Sequence, residues 1–167
     1  MASEPDEITS SPLVRRETSA SRQRVWAVLA DGWTYSQWVV GNSRMRAVDP
    51  QWPQPGSTIH HSIGVWPAVI DDSTLVESWV PEHELVLVAN GRPFGKARIT
   101  LRLYDLPHGG YDLPQGGCLI EMAEVPVSPP LSWLPHSVAL AIAFPRNRET
   151  TWRLAAMAER RVAELGD

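Results

Sequence analysis

Strands joined by short connections, followed by a single strongly amphipathic helix at the C-terminal end, predict an α+β fold in which an antiparallel sheet curls around that helix. Three observations carry this. Residues 97–104 alternate Ala97, Ile99, Leu101 and Leu103 against Arg98, Thr100, Arg102 and Tyr104, the pattern of a strand with one core face and one wet face. Turn-forming strings of hairpin length separate this segment from similar ones before it. Thr151, Leu154, Ala155, Ala158, Val162 and Leu165 fall at i, i+3, i+4, i+7, i+11 and i+14, which is one stripe of a helix. A helix that arrives last must lay its stripe across the concave side of the sheet, and that predicts a grip around a cavity.

Each element follows from local chemistry. Residues 1–10 are polar, acidic and aperiodic and read as a disordered tail, with one domain over 11–167. A strand begins at Leu13 and ends at Thr18. Ser19 or Ser21 can then cap a helix carrying Val25, Val28 and Leu29, with Trp26 flanking that face, until Asp31-Gly32 stops it. Thr34 can cap a short turn bearing Tyr35 and Trp38 before the breaker Gly41-Asn42. A strand over 44–48 is followed by a loop, 49–56, whose prolines cannot donate ladder hydrogen bonds. The strand starting at Ser57 places Ile59, His61, Ile63 and Val65 on one face and runs to Trp66. Asp71-Asp72-Ser73 reads as a turn, 74–80 as a strand, Pro81-Glu82-His83 as a turn and 85–90 as a strand. Beyond 97–104, the Gly/Pro-rich stretch 107–117 reads as a mobile hairpin tip, and 118–125 returns as the last strand. Residues 126–145 mix proline with apolar side chains without a period; they predict an irregular or short-helical crossover covering one mouth of the sheet, ahead of a final helix over 146–165.

Composition excludes several classes of function. The chain has 167 residues and a net charge of −4, enough for one stapleless core and no basic stripe for nucleic acid. Of its 15 basic residues only Lys96 is lysine, a bias typical of GC-rich bacterial, actinobacterial-like genomes. The single Cys118 allows no internal disulfide, and the opening residues lack the basic and apolar regions of a secretion signal, so a cytoplasmic location is expected. The longest apolar stretch, 131–144, is broken by Pro135 and His136 and is too short to span a bilayer; transient membrane contact is compatible with it. The oligomeric state is left open.

The order of elements, together with the strings Ser21-Arg22-Gln23-Arg24-Val25-Trp26, Gly56-Ser57-Thr58-Ile59, Gly64-Val65-Trp66-Pro67 and Arg146-Asn147-Arg148-Glu149 leading to Arg153-Leu154, resembles the polyketide cyclase/dehydrase branch of the START-like (SRPBCC) superfamily over residues 13–165. The resemblance implies a helix-grip fold: a seven-stranded antiparallel sheet wrapped around a long C-terminal helix, with two short helices after the first strand and an apolar cavity between the layers. Members carry lipids, bind hormones, cyclise polyketides, oxygenate aromatic rings or bind proteins, so fold alone does not select among these. The iron site of the ring-oxygenase members is not expected. His60 and His61 point to opposite faces of one strand, and His83, His108 and His136 are assigned to loops. No metal and no other cofactor is expected.

Candidate site residues follow from the faces. His61, a titratable group on an apolar strand face, could protonate or orient a ligand carbonyl; a hydrogen-bonded structural histidine is the simpler reading. Ile59, Ile63, Ile99, Leu101 and Met122 offer apolar wall, Trp66, Trp79 and Trp133 aromatic wall, and Asn90 a polar group at a strand end. Thr151, Leu154, Ala155 and Ala158 are the helix side of the pocket, the alanines leaving room between the layers or permitting close packing. Glu77 and Glu121 read as wet-face residues. Three functions remain open: binding of a hydrophobic small molecule (lipid, isoprenoid or polyketide-like), a polyketide cyclase or dehydratase of aromatase type using His61 as acid/base, and a protein-interaction module without ligand. No nucleophile elbow, phosphate loop or paired-cysteine motif is present to suggest other chemistry.

Overall fold

The computed structural model describes residues 13–107 and 116–163, the side chains of 161–163 excepted. The expected N-terminal tail, most of the Gly/Pro-rich hairpin tip with His108, and the side chains of Val162 and Leu165 lie outside the described residues. Seven strands form one antiparallel sheet: β1 (Val14–Thr18), β2 (Asn42–Val48), β3 (Thr58–Val65), β4 (Ala68–Val80), β5 (Glu84–Ala89), β6 (Ala97–Leu106) and β7 (Gly117–Pro126). Their order is β1-β7-β6-β5-β4-β3-β2, so the first two strands occupy opposite edges. Helices α1 (Arg22–Leu29) and α2 (Tyr35–Trp38), with a 3-10 turn over Gly32–Thr34 between them, carry the chain from one edge to the other, and α3 (His136–Ala163) closes the fold.

Ser21 is the cap of α1, its hydroxyl accepting from the Arg24 amide at 3.4 Å. Ser19 serves another purpose. Its amide and hydroxyl, with the Thr18 hydroxyl at 2.6 Å, donate to the Glu159 carboxylate and tie the end of β1 to α3. Thr34 does not cap α2 as expected; its hydroxyl donates to the carbonyls of Val28 and Asp31, bonds that serve the preceding turn instead. The proline loop packs inward through Trp52, whose indole N–H donates to the Leu29 carbonyl at 3.1 Å.

Two boundaries differ from expectation, each for a local reason. The turn before β4 is at Trp66-Pro67 rather than at Asp71-Asp72-Ser73, because Gly64, at φ +100°, lets the chain reverse tightly: a Cβ there would stand 2.2 Å from the Ala68 carbonyl oxygen. Asp72 therefore lies within β4, paired with His61. At the other end of the chain, α3 starts at His136, so the second half of the expected irregular crossover is helical and Pro145 sits inside the helix. Pro145 costs one backbone donor there, which tertiary packing outweighs. His136 accordingly belongs to a helix and not to a loop.

The concave face of the sheet carries Ile59, Val76, Leu85, Leu87, Leu101, Leu103 and Ile120, all essentially without exposure and in one apolar cluster with Leu154, Ala155 and Ala158 of α3. The convex face carries a row of charges. Arg15 pairs with Glu121 and Arg102 with Glu84, both at 2.7 Å, and Arg98 pairs with Glu77. Glu77 and Glu121 are therefore outside the cavity. Surface pairs of this kind contribute at most about 1 kcal/mol each, so the core under α3 dominates stability.

Candidate functional site

Beneath the N-terminal half of α3 the two layers do not meet, and a cavity of about 1050 Å³ remains. Its floor is formed by β3 to β7 through residues such as Ile63, Ile70, Leu87, Ile99 and Met122. Its roof is the α3 stripe Ala139, Leu140, Ala143, Asn147 and Thr150. The α2 residues Tyr35 and Trp38 close one side. The other side is a wall of two loops stitched together: the Leu131 amide donates to the Phe94 carbonyl at 2.9 Å, and the Lys96 amide to the Ser128 hydroxyl at 2.7 Å. Gly95 makes this approach feasible, since a Cβ there would lie 2.6 Å from the carbonyl oxygens of Ser128 and Pro129.

The wall is mainly apolar, with polar groups at a few places. His61 is buried, and its Nε2 lies 2.9 Å from the Thr74 hydroxyl, which lies 3.2 Å from the Tyr35 hydroxyl. The Tyr35 and His61 rings also pack together, with centroids 5.3 Å apart. Burial pushes the Tyr35 phenol up to about 12 and pushes the His61 imidazole below its ordinary value, against the opposing field of Asp72. Both groups are thus neutral at neutral pH. A neutral imidazole, a hydroxyl and a phenol in line share their protons in one of two directions. If Tyr35 donates to Thr74 and Thr74 to Nε2, His61 presents an Nδ1–H; in the reverse direction Nδ1 is an acceptor. Nδ1 has no partner in the protein.

Across the cavity, Glu124 is buried and is paired by the Arg146 guanidinium through both carboxylate oxygens. Asp72 accepts from the Gly91 amide at 2.9 Å through one oxygen and leaves the other unpaired. Asn147 is fully buried and neither atom of its carboxamide has a partner.

Of the residues anticipated for the site, His61, Ile63, Ile99 and Met122 line the cavity. Ile59, Leu101, Thr151, Leu154, Ala155 and Ala158 lie in the packed core beside it, because the helix stripe crosses from void to contact between Thr150 and Thr151. The aromatic wall is different from the one expected. Trp79 stacks on Trp26 of α1, centroids 5.8 Å apart; Trp66 is 84% exposed at the β3–β4 turn and Trp133 is 77% exposed. Asn90 points its amide at the Ser73 hydroxyl, 2.6 Å away, and is no part of the wall.

Tyr35, Trp38, Asp72, Arg146 and Asn147 are among the lining residues that sequence reasoning missed. Asn147 had a signal: it stands four residues before Thr151, on the same stripe. Asp72 was masked by its turn-like neighbours. Among the described residues no group of three or more His, Cys, Asp or Glu side chains is placed to hold a metal ion, and no helix is long and apolar enough to cross a membrane.

Several solved structures share this architecture. A protein of Nitrosomonas europaea superposes with a TM-score of 0.66 at 16% identity, over 90% of this chain and 95% of that one. Ara h 8.0201 gives 0.64 at 9% identity, over 89% and 96%. The di-domain ARO/CYC protein StfQ from the steffimycin biosynthetic pathway gives 0.62 at 9% identity, covering 94% of this chain and 54% of that one. Likeness at such identities is one of fold, and the chain has the helix-grip fold. No protein-family model matches the sequence, nor does any curated protein.

Proposed function

We propose that this protein binds a hydrophobic small molecule of lipid, isoprenoid or polyketide type in the space between the sheet and the first half of α3, and does so in the cytoplasm. The observation that carries the reading is the cavity itself, about 1050 Å³ with a mainly apolar wall. That is the upper end of the roughly 300–1,000 Å³ typical of small-molecule sites. Each 100 Å² of apolar surface moved into it is worth about 2.5 kcal/mol before ordering costs. The rim supports access for such a ligand: Val65, Phe94 and Ile142 line the cavity and are also 82%, 62% and 60% exposed. Space left unfilled speaks against a pure protein-interaction module, which has no need of it.

The test is native mass spectrometry of protein purified from its own host. A co-purifying apolar molecule released on denaturation is the expected result. Protein that emerges empty, and that also fails to enhance the fluorescence of a neutral apolar dye, removes the reading.

A second reading, a cyclase or dehydratase of polyketide type, is favoured by one specific feature, the His61–Thr74–Tyr35 chain. Its neutral members can donate a hydrogen bond to a ligand carbonyl and polarise it for enolisation, the proton that leaves carbon balancing any that the chain passes to oxygen. The likeness to StfQ is in keeping with it. If this reading holds, His61→Ala abolishes turnover of a poly-keto substrate while binding survives; an unchanged rate removes His61 from the mechanism.

A further inference from the structure

Buried polar atoms without partners are rare in folded proteins, and each calls for an explanation. Here eight side-chain atoms are of this kind among the described residues, and six of them belong to Trp38, Asn42, His61, Asp72 and Asn147, all cavity-lining. Such clustering sets the unpaired atoms around the cavity. Asn147 stands apart within the set because it has no exposure and lacks partners for both its oxygen and its nitrogen. It also sits mid-helix, where asparagine is a poorer helix former than alanine or leucine and where its neighbours Ala143 and Thr150 are small. Leaving one buried amide group unbonded costs about 1–3 kcal/mol, so an apolar residue would serve the fold better.

We infer that Asn147 recognises the head group of the bound molecule, and that this head is uncharged and offers a hydrogen-bond donor and acceptor side by side, as a carboxamide, a hydroxy-ketone or an enolised 1,3-diketone does. The carboxamide supplies one acceptor and two donors and carries no charge. The adjacent cation, Arg146, is already taken by Glu124 and is not free to neutralise an anionic head. Arg92 also lines the cavity, but from the exposed loop at its mouth. An ionised head beside Asn147 would therefore be desolvated without a counter-charge, whereas a neutral donor–acceptor pair satisfies both orphaned atoms at once. The ligand's tail then runs along the apolar wall toward the rim. This inference rests on the small-molecule reading above and specifies the ligand class for it.

The experiment measures displacement of N-phenyl-1-naphthylamine, a neutral fluorescent probe, by three compounds with the same tail: tetradecanamide, methyl tetradecanoate and tetradecanoate. The amide is expected to compete about five-fold or more better than the ester, which keeps the carbonyl acceptor and lacks the N–H donor, the difference that one net hydrogen bond makes, and better than the anion. In Asn147→Leu that advantage disappears while the probe itself still binds, and the melting temperature is unchanged or higher because an unsatisfied amide has been removed. Asn147→Ala, which only enlarges the void, gives the same loss of preference and serves if the leucine variant does not fold. If the probe and ester bind but the amide has no advantage, or keeps it in both variants, the head-group inference is overturned and cavity binding stands. A large drop in melting temperature in both variants assigns Asn147 a structural role and likewise overturns it. Failure of wild-type protein to bind the probe removes the small-molecule reading and this inference together.

Discussion

The two halves of α3 lie over the same sheet yet meet it differently. From Thr151 onward, Leu154, Ala155 and Ala158 are sealed against the core, and Glu159 is fastened to the end of β1. Before Thr151, Ala139, Leu140 and Ala143 are half-buried and, with Asn147, line the cavity. The helix and its small residues continue unchanged across this boundary; what changes is the opposing layer. Leu101, Leu103 and Ile120 belong to one buried cluster with the second half, while Ala89 and Ala97 are among the residues that line the void under the first. Room for a ligand is thus set by the floor as much as by the helix above it, and one half of the interface supplies stability for the other.

Truncation tests this contrast most strongly. Leu154→Ala is expected to cost about 2–5 kcal/mol in denaturant unfolding, as a buried leucine in a packed core does. Leu140→Ala, on the roof and half-buried, is expected to cost about 1 kcal/mol. Equal losses at the two positions would erase the distinction between sealed and open halves. Enlargement gives a smaller, mirrored effect. Ala158→Leu forces extra volume into contact and should destabilise by about 1–3 kcal/mol, whereas Ala143→Leu is expected to change stability by about 0.5 kcal/mol or less while reducing uptake of a neutral apolar dye. Unchanged uptake would mean that dye and roof do not meet.

The smallest effect is electrostatic. Burial holds the His61 imidazole below the 6.5 of the free group, so as pH falls past 6.5 the unfolded chain takes up a proton that the folded one refuses. Stability conferred by the neutral folded imidazole is full above pH 6.5 and is lost on acidification. Melting curves of wild type and His61→Gln should run parallel above that value and converge below it. Parallel curves throughout would show that the imidazole is as well solvated as it is in the unfolded chain.

Most of the architecture was legible because it is written in periodicity. The alternation over 97–104 and the i, i+3, i+4 stripe of the last helix fixed β6 and the sealed half of α3, and the apolar face of β3 put His61 inside. The site was less legible because a void leaves no periodic mark. Thr151 and Asn147 occupy the same stripe, and nothing in their spacing tells which faces space. Trp66 and Trp133 were drawn to the wall by their hydrophobicity, but a tight turn at Gly64 and a 3-10 turn over Leu131–Trp133 leave them exposed. Asp72 was hidden by the turn-like string around it, since local turn chemistry yields to the stronger constraint of a glycine-dependent reversal a few residues earlier. Asn147 needed its surroundings. A lone asparagine in a helix is unremarkable until it is seen to be buried with both ends of its amide bare.

The sheet order has one more effect. Val14 pairs with Met122 and Thr18 with Cys118, so β1 has no neighbour in the sheet until β7 has been made. Pairings this distant in the chain slow folding, because the loop between them must close before any contact is gained. The hollow consequently does not exist on a nascent chain until β7 and α3 have been made.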